Sequence, residues 1–214
     1  MTGRFITLEG GEGTGKSTQV RRLAAALEAK GKPCIVTREP GGSPGAEEIR
    51  ALLVNGAPGR WDALTETLLV FAARADHVER TIRPALDAGK FVVCDRFTDS
   101  TYAYQGIGRD MPRETIRRIE SIVLEDFKPD LTLVLDLPVE TGLARAKSRG
   151  AAESRFENFD TAFHERLRQA FLDIAKRSPD RCTVIDAGSS EDEVADAIWN
   201  AVARRFFQNE LLSI

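Results

Sequence analysis

The run Gly10-Gly11-Glu12-Gly13-Thr14-Gly15-Lys16-Ser17-Thr18 holds the residue types that bind a polyphosphate, at the spacing such binding needs. A glycine, four residues and then Gly-Lys-Ser let backbone N–H groups turn inward around phosphate oxygens. The helix expected after it offers its positive N-terminal end. Lys16 is long enough to reach β- and γ-phosphates, and the Ser17 hydroxyl suits Mg²⁺. Asp95 closes the run Phe91-Val92-Val93-Cys94, where such proteins often place the acidic partner of the metal. Arg96 follows it with a guanidinium fork that fits a phosphate bidentately. Helix capping for Asp95 and a structural Arg–Asp pair are the plain alternatives.

Elements must hold these groups in place. Short hydrophobic runs alternate with helical patterns along the whole chain, which is the signature of βαβ units and a parallel sheet. Strands are expected at about 4–9, 33–37, 91–95, 131–136 and 182–186. Their near-continuous hydrophobicity suits strands covered on both faces. Leu64, Leu68, Phe71, Ala75, Val78, Ile82 and Leu86 recur at helical spacing and mark one long amphipathic helix. Pro138 suits the first turn of another helix, with Gly150 as its stop. Ligands of open parallel sheets bind beyond the carboxyl ends of the strands. Residues 9–18, 38–43, 95–99 and Asp136 should therefore converge on one rim. The fold class predicted is α/β: a P-loop, three-layer fold with a five-stranded parallel sheet flanked by helices and a mobile lid, as one domain over residues 1–214.

Composition narrows the function classes. The 30 basic and 33 acidic residues give a net charge of −3, so no global basic field points to nucleic acid. Cys34, Cys94 and Cys182 are odd in number and widely spaced. They form neither a disulfide framework nor a zinc pattern, and buried reduced thiols are expected. The first strand-like run starts within five residues of Met1, which leaves no room for a signal peptide. The apolar run Leu68 to Ala73 is far too short to span a bilayer. A cytoplasmic protein with no membrane partner is expected.

An ordered series completes the reading. Thr37-Arg38-Glu39-Pro40-Gly41-Gly42, Phe71-Ala72-Ala73-Arg74, Asp95-Arg96-Phe97 and Ala103-Tyr104-Gln105-Gly106 follow the glycine-rich loop in that order. The series resembles bacterial thymidylate kinases over essentially the whole chain. The resemblance implies transfer of the γ-phosphoryl group of ATP to dTMP, giving ADP and dTDP with Mg²⁺, in a homodimer. It implies that Glu12 meets the deoxyribose 3′-hydroxyl, and that Arg38, Arg50 and Arg96 clamp the acceptor phosphate. By the same resemblance, Glu39 is expected to help place the acceptor and its magnesium, Phe71 to supply the thymine-stacking face and Arg74 a donor to a base carbonyl. Thr101 and Gln105 are similar to residues that read the pyrimidine edge, and Tyr104 to a tyrosine that lies beneath the sugar and disfavours a 2′-hydroxyl. One departure stands out, because many relatives carry the aromatic four residues before this arginine, where this chain has Val70.

Residues 144–158, with Arg145, Lys147, Arg149 and Arg155, read as the lid. Phosphoryl transfer needs cationic stabilisation of the moving phosphate. The loop itself holds no arginine, so Arg149 and Arg155 are expected to join Lys16 and Arg96 in catalysis. The nearest rival is a deoxynucleoside kinase, in which Glu39 would deprotonate a neutral 5′-hydroxyl. The Gly41-Gly42 pair and the supply of arginines favour a phosphorylated acceptor. A GTPase switch would need an Asn-Lys-x-Asp tetrapeptide, and the sequence has none.

Overall fold

The computed structural model describes residues 3–56, 59–148 and 159–207. Among them, β1 (Arg4–Glu9), β2 (Cys34–Arg38), β3 (Phe91–Asp95), β4 (Leu131–Asp136) and β5 (Cys182–Asp186) form one sheet in the order β2-β3-β1-β4-β5. Every pairing is parallel, with Ile6 beside Val93 and Leu8 beside Leu133. Only the second strand departs from expectation, by a shift of one residue that brings Arg38 to its end.

The helices are α1 (Lys16–Ala29), α2 (Pro44–Val54), α3 (Ala63–His77), α4 (Arg83–Asp87), α5 (Thr98–Thr101), α6 (Arg113–Leu124), α7 (Val139–Ser148), α8 (Thr161–Arg177) and α9 (Glu191–Phe206). They cover both faces of the sheet, as fully apolar strands demand. Ile6, Leu8, Val93 and Leu133 pack on one face against Val20, Leu23 and Leu27 of α1 and Val194, Ile198 and Val202 of α9. On the other face, Phe5, Val92 and Cys94 meet Val78, Ile82, Phe97 and Leu124. Val134 lies beneath Leu167 and Phe171 of α8. The three cysteines are free thiols.

The long helix expected over Leu64 to Leu86 is present with one change. Between α3 and α4 the chain makes a wide π turn, Val78–Ile82. Asp62 caps the start of α3 by accepting from Leu64 and Thr65 N–H. Phe71, Val78 and Ile82 are buried, but Leu64 and Leu68 are 47% and 49% exposed. The apolar stripe therefore runs on past the cover this chain provides. A second π turn, Tyr102–Ile107, follows α5.

Pro138 precedes α7 directly, as expected of a helix start. Gly150, Arg149, Arg155 and the rest of the expected lid from residue 149 onward lie outside the described residues. Early in α7, Gly142 backs onto the glycine-rich loop. A Cβ on Gly142 would collide with the Glu12 carbonyl, and one on Gly13 with the Gly142 carbonyl. Among the described residues no helix is long and apolar enough to cross a membrane.

Candidate active site

Gly10, Gly13 and Gly15 have φ of 138°, 70° and 87°, and these left-handed angles fold the chain between β1 and α1 back on itself. Lys16 Nζ donates to the carbonyls of Gly10 (3.1 Å) and Gly11 (2.7 Å) and to the Thr14 hydroxyl (3.3 Å). Burial and the neighbouring charge of Arg96 bring the Lys16 ammonium down to about 8, against the pull of Glu12, Asp95 and Glu9. Ser17 Oγ donates to Asp95 Oδ2 at 2.6 Å. The two residues expected around magnesium thus meet although 78 positions separate them.

Arg96 sits at φ 71°, in the left-handed region that a side chain rarely adopts. Its neighbours hold it there. Arg96 N–H donates to Leu8 O at 2.9 Å, and the next amide, Phe97 N–H, donates to Glu9 Oε1 at 2.7 Å. Glu9 also accepts from Ser100 Oγ at 2.6 Å. Burial, reinforced by Asp99, pushes the Glu9 carboxyl up to about 8. The bend turns the Arg96 guanidinium toward the loop, where it donates to Gly10 O (3.0 Å), Ser100 Oγ (3.2 Å) and Glu12 Oε1 (3.0 Å). It also lies over the Tyr104 ring at 5.0 Å. Tyr104 O–H donates to the same Glu12 oxygen at 2.6 Å. Burial acts to raise the Glu12 carboxyl, but Arg96, Lys16 and the Tyr104 hydrogen bond outweigh it and hold it near 2.

Glu12 to Ser17, Arg38, Glu39, Arg50, Arg74, Asp95, Arg96, Thr101, Tyr104 and Gln105 all line one cavity of about 320 Å³. Gly10 and Gly11 border a neighbouring cleft beside Asp136 instead, and Thr18 borders neither. Asp136 is held by Arg168 through bonds of 2.7 and 3.0 Å. Arg38 pairs with Glu47 at 3.0 Å, and Arg50 donates to Pro40 O at 2.6 Å. Arg145 donates to Ala187 O at 3.1 Å, in the turn after β5.

Arg74, a buried cation, also lines the cavity. Its Nε donates to Glu39 Oε2 (2.7 Å) and its Nη2 to Thr101 Oγ1 (3.0 Å). Its Nη1 has no hydrogen-bond partner among the described residues. Gln105 Nε2 donates to Glu66 Oε1 at 2.9 Å, and Arg109 donates to the other Glu66 oxygen at 3.2 Å.

Phe71 requires a correction. Its ring is 1% exposed and is absent from the cavity wall. It supports the Arg74 guanidinium at 4.8 Å, while Phe97 flanks the same group at 5.1 Å. Val70 lines the cavity in its place, joined by Pro40, Leu53, Val54 and Phe97. Consecutive helical residues point about 100° apart, so a shift of one position exchanges cavity for core. The Gly41-Gly42 pair also has a structural reason. Gly41 makes room for the Glu47 carboxylate, and Gly42 for the side chains of His77 and Thr37.

Residues 8–198 match the family model for thymidylate kinase. The chain belongs to the thymidylate kinase family. Members of this family phosphorylate dTMP to dTDP with ATP. A thymidylate kinase of Caulobacter vibrioides is 60% identical over 203 residues, covering 95% of this chain and 97% of that protein. One of Rhizorhabdus wittichii is 53% identical, covering 95% and 98% respectively. The crystal structure of thymidylate kinase from Ehrlichia chaffeensis superposes with a TM-score of 0.76 at 34% identity, over 94% of this chain and 99% of that one. Sequence reasoning located the polar residues that line this cavity except Ser100. It missed the apolar wall and the partners behind it, Glu66, His77 and Arg109. His77 had one available signal, its place three residues after Arg74 on the same side of the helix.

Proposed function

We propose that this chain acts as a single unit in the cytoplasm, transferring the γ-phosphoryl group of ATP to dTMP for dTTP synthesis in DNA replication. The observation that carries this reading is the continuity of the cavity. The glycine-rich loop, Arg38, Arg50, Arg96 and Arg74, whose Nη1 has no hydrogen-bond partner among the described residues, all line the same space. A thymine carbonyl satisfies Nη1, a buried donor that is otherwise costly to leave unmatched. The walls formed by Val70, Leu53 and Pro40 suit the apolar faces of the base. Glu12, fixed as a carboxylate by Arg96 and Tyr104, accepts from the 3′-hydroxyl.

An oxygen of the dTMP phosphate attacks the γ-phosphorus and ADP leaves. No general base is needed, because the second pKa of such a phosphate is about 6. Glu39 supports the same view, since Arg74 and His77 engage its two oxygens. Lys16 exchanges loop carbonyls for phosphate oxygens. Ser17 Oγ and Asp95 Oδ2, 2.6 Å apart, fit Mg²⁺, which takes few protein oxygens beside water and phosphate. Magnesium there supplies charge neutralisation on the β- and γ-phosphates. Arg149 and Arg155 supply the cations for the transferring group.

Incubation with Mg·ATP and either dTMP or thymidine, followed by ADP release, tests the reading. Turnover with dTMP and little with thymidine is expected, because a neutral nucleoside brings no phosphate to Arg38, Arg50 and Arg96. Comparable rates on thymidine would favour a nucleoside kinase. The assembly proposed is a homodimer through the uncovered stripe, in which Leu64 and Leu68 of α3 and Leu52 of α2 are 47%, 49% and 40% exposed.

A further inference from the structure

Arg74 holds its position through a buried chain that continues beyond the cavity wall. The Glu39 oxygen not used by Arg74, Oε1, meets His77 Nδ1 at 3.0 Å. His77 is 0% exposed and does not line the cavity. Its Nε2 meets Thr37 Oγ1 at 2.6 Å. Gly42 closes over this pair, and its backbone carbonyl accepts from Thr81 Oγ1 at 2.8 Å. An ionised carboxylate only accepts, so Nδ1 carries the hydrogen toward Glu39. The Thr37 hydroxyl serves Nε2 either as donor or as acceptor.

A carboxylate held by one oxygen can turn about its last bond and let its partner shift. Held by both, it cannot. The Phe71 and Phe97 rings lie 4.8 and 5.1 Å from the Arg74 guanidinium. Its hydrogen bonds run to Glu39 and Thr101. The direction in which Nη1 points therefore depends on Glu39, and through it on a residue that lines no part of the cavity.

We infer that His77 is a positioning residue for acceptor selectivity. It locks Glu39, and through it aims Arg74 Nη1 at a base carbonyl, favouring thymine over a pyrimidine that presents an exocyclic amino group at the same edge. This rests on the reading of Arg74 as the base-carbonyl donor. A donor aimed at an amino group meets another donor, and such a mismatch in a buried site discriminates far more strongly than a missing methyl group.

The test measures kcat/KM for dTMP and dCMP in the parent, Arg74→Ala, His77→Leu, His77→Asn and His77→Gln. Asn retains an amide N–H near the place of Nδ1 and so preserves the partner of Glu39. Gln reaches toward Thr37 instead. His77→Leu is expected to lower the dTMP-to-dCMP ratio at least about tenfold, with KM for ATP within about twofold of the parent. His77→Asn should restore most of the ratio and His77→Gln little of it. A ratio that collapses in Arg74→Ala but survives in His77→Leu overturns the inference and leaves the Arg74 reading intact. A ratio that survives in Arg74→Ala overturns that reading as well. Should the Leu variant fail to fold, the comparison of Asn with Gln decides, and equal ratios at equal melting temperatures overturn the inference.

Discussion

Arg96 combines an unfavourable backbone angle with four partners around its side chain and ring face, and the two can be separated by substitution. Arg96→Ala removes the guanidinium but keeps a Cβ at φ 71°, whereas Arg96→Gly removes both. Each should reduce acceptor use at least about tenfold, since a charge-assisted phosphate contact is worth about 1.5–3 kcal/mol. ATP binding should change much less. Thermal melting should rank Gly above Ala, because a left-handed non-glycine residue costs about 1–2 kcal/mol. Equal melting temperatures would show that no strain is stored there. Glu9 offers a pH-dependent test. Its folded pKa of about 8 lies above the ordinary 4.5, so it contributes most stability below about 4.5 and loses it as pH rises toward 8. Glu9→Gln keeps an acceptor for Phe97 N–H without a titrating proton, and its melting temperature should fall less than the parent's between pH 6 and pH 9. Parallel curves would mean that Glu9 is ionised throughout. At this scale the sequence displayed most of the polar groups that line the cavity, because loop, strand end and arginine each carry a recognisable chemistry. It did not display their supports. His77 and Glu66 resemble ordinary polar residues of a helix until the fold buries them.

At the scale of elements, near-continuous runs such as Leu131-Thr132-Leu133-Val134-Leu135 marked the strands to within a residue, since a strand covered on both faces tolerates little else. Helix phase was harder to read. Val70 and Phe71 are both apolar and differ only in which side of α3 they occupy. The π turn at Val78–Ile82 inserts a local change of phase that apolar spacing does not announce. Phe71→Ala should therefore destabilise the fold by about 3–5 kcal/mol, the usual consequence of emptying a buried phenylalanine site, as read by denaturant unfolding. Wild-type stability would return the ring to the cavity. The proposed lid makes a separate demand, because its arginines should act mainly as the phosphoryl group moves. Arg149→Ala should lower kcat by about 10²–10³ while substrate dissociation constants stay within about threefold. Parent rates in both Arg149→Ala and Arg155→Ala would place the stabilising cation elsewhere.

For the whole molecule, strand order gathers distant segments, with β1 at the centre between β3 and β4, so the ends of three strands deliver residues 9–18, Asp95 and Asp136 to one rim. Alternation of strands and helices made that arrangement legible, but the outer surface follows different rules. If the proposed homodimer forms through this stripe, the double substitution Leu64→Glu, Leu68→Glu should yield monomers in sedimentation experiments, and an unchanged sedimentation coefficient would remove this stripe from the interface. One contact also has a mechanical meaning. Gly142 rests on the Glu12 carbonyl because neither it nor Gly13 has a side chain to hold them apart. Beyond that point α7 extends six residues to Ser148, an arm of about 9 Å at 1.5 Å per residue. A tilt of about 10° around the glycine contact sweeps the end of this arm through roughly 1.6 Å. Were α7 to tilt, the phosphate loop would be its fulcrum.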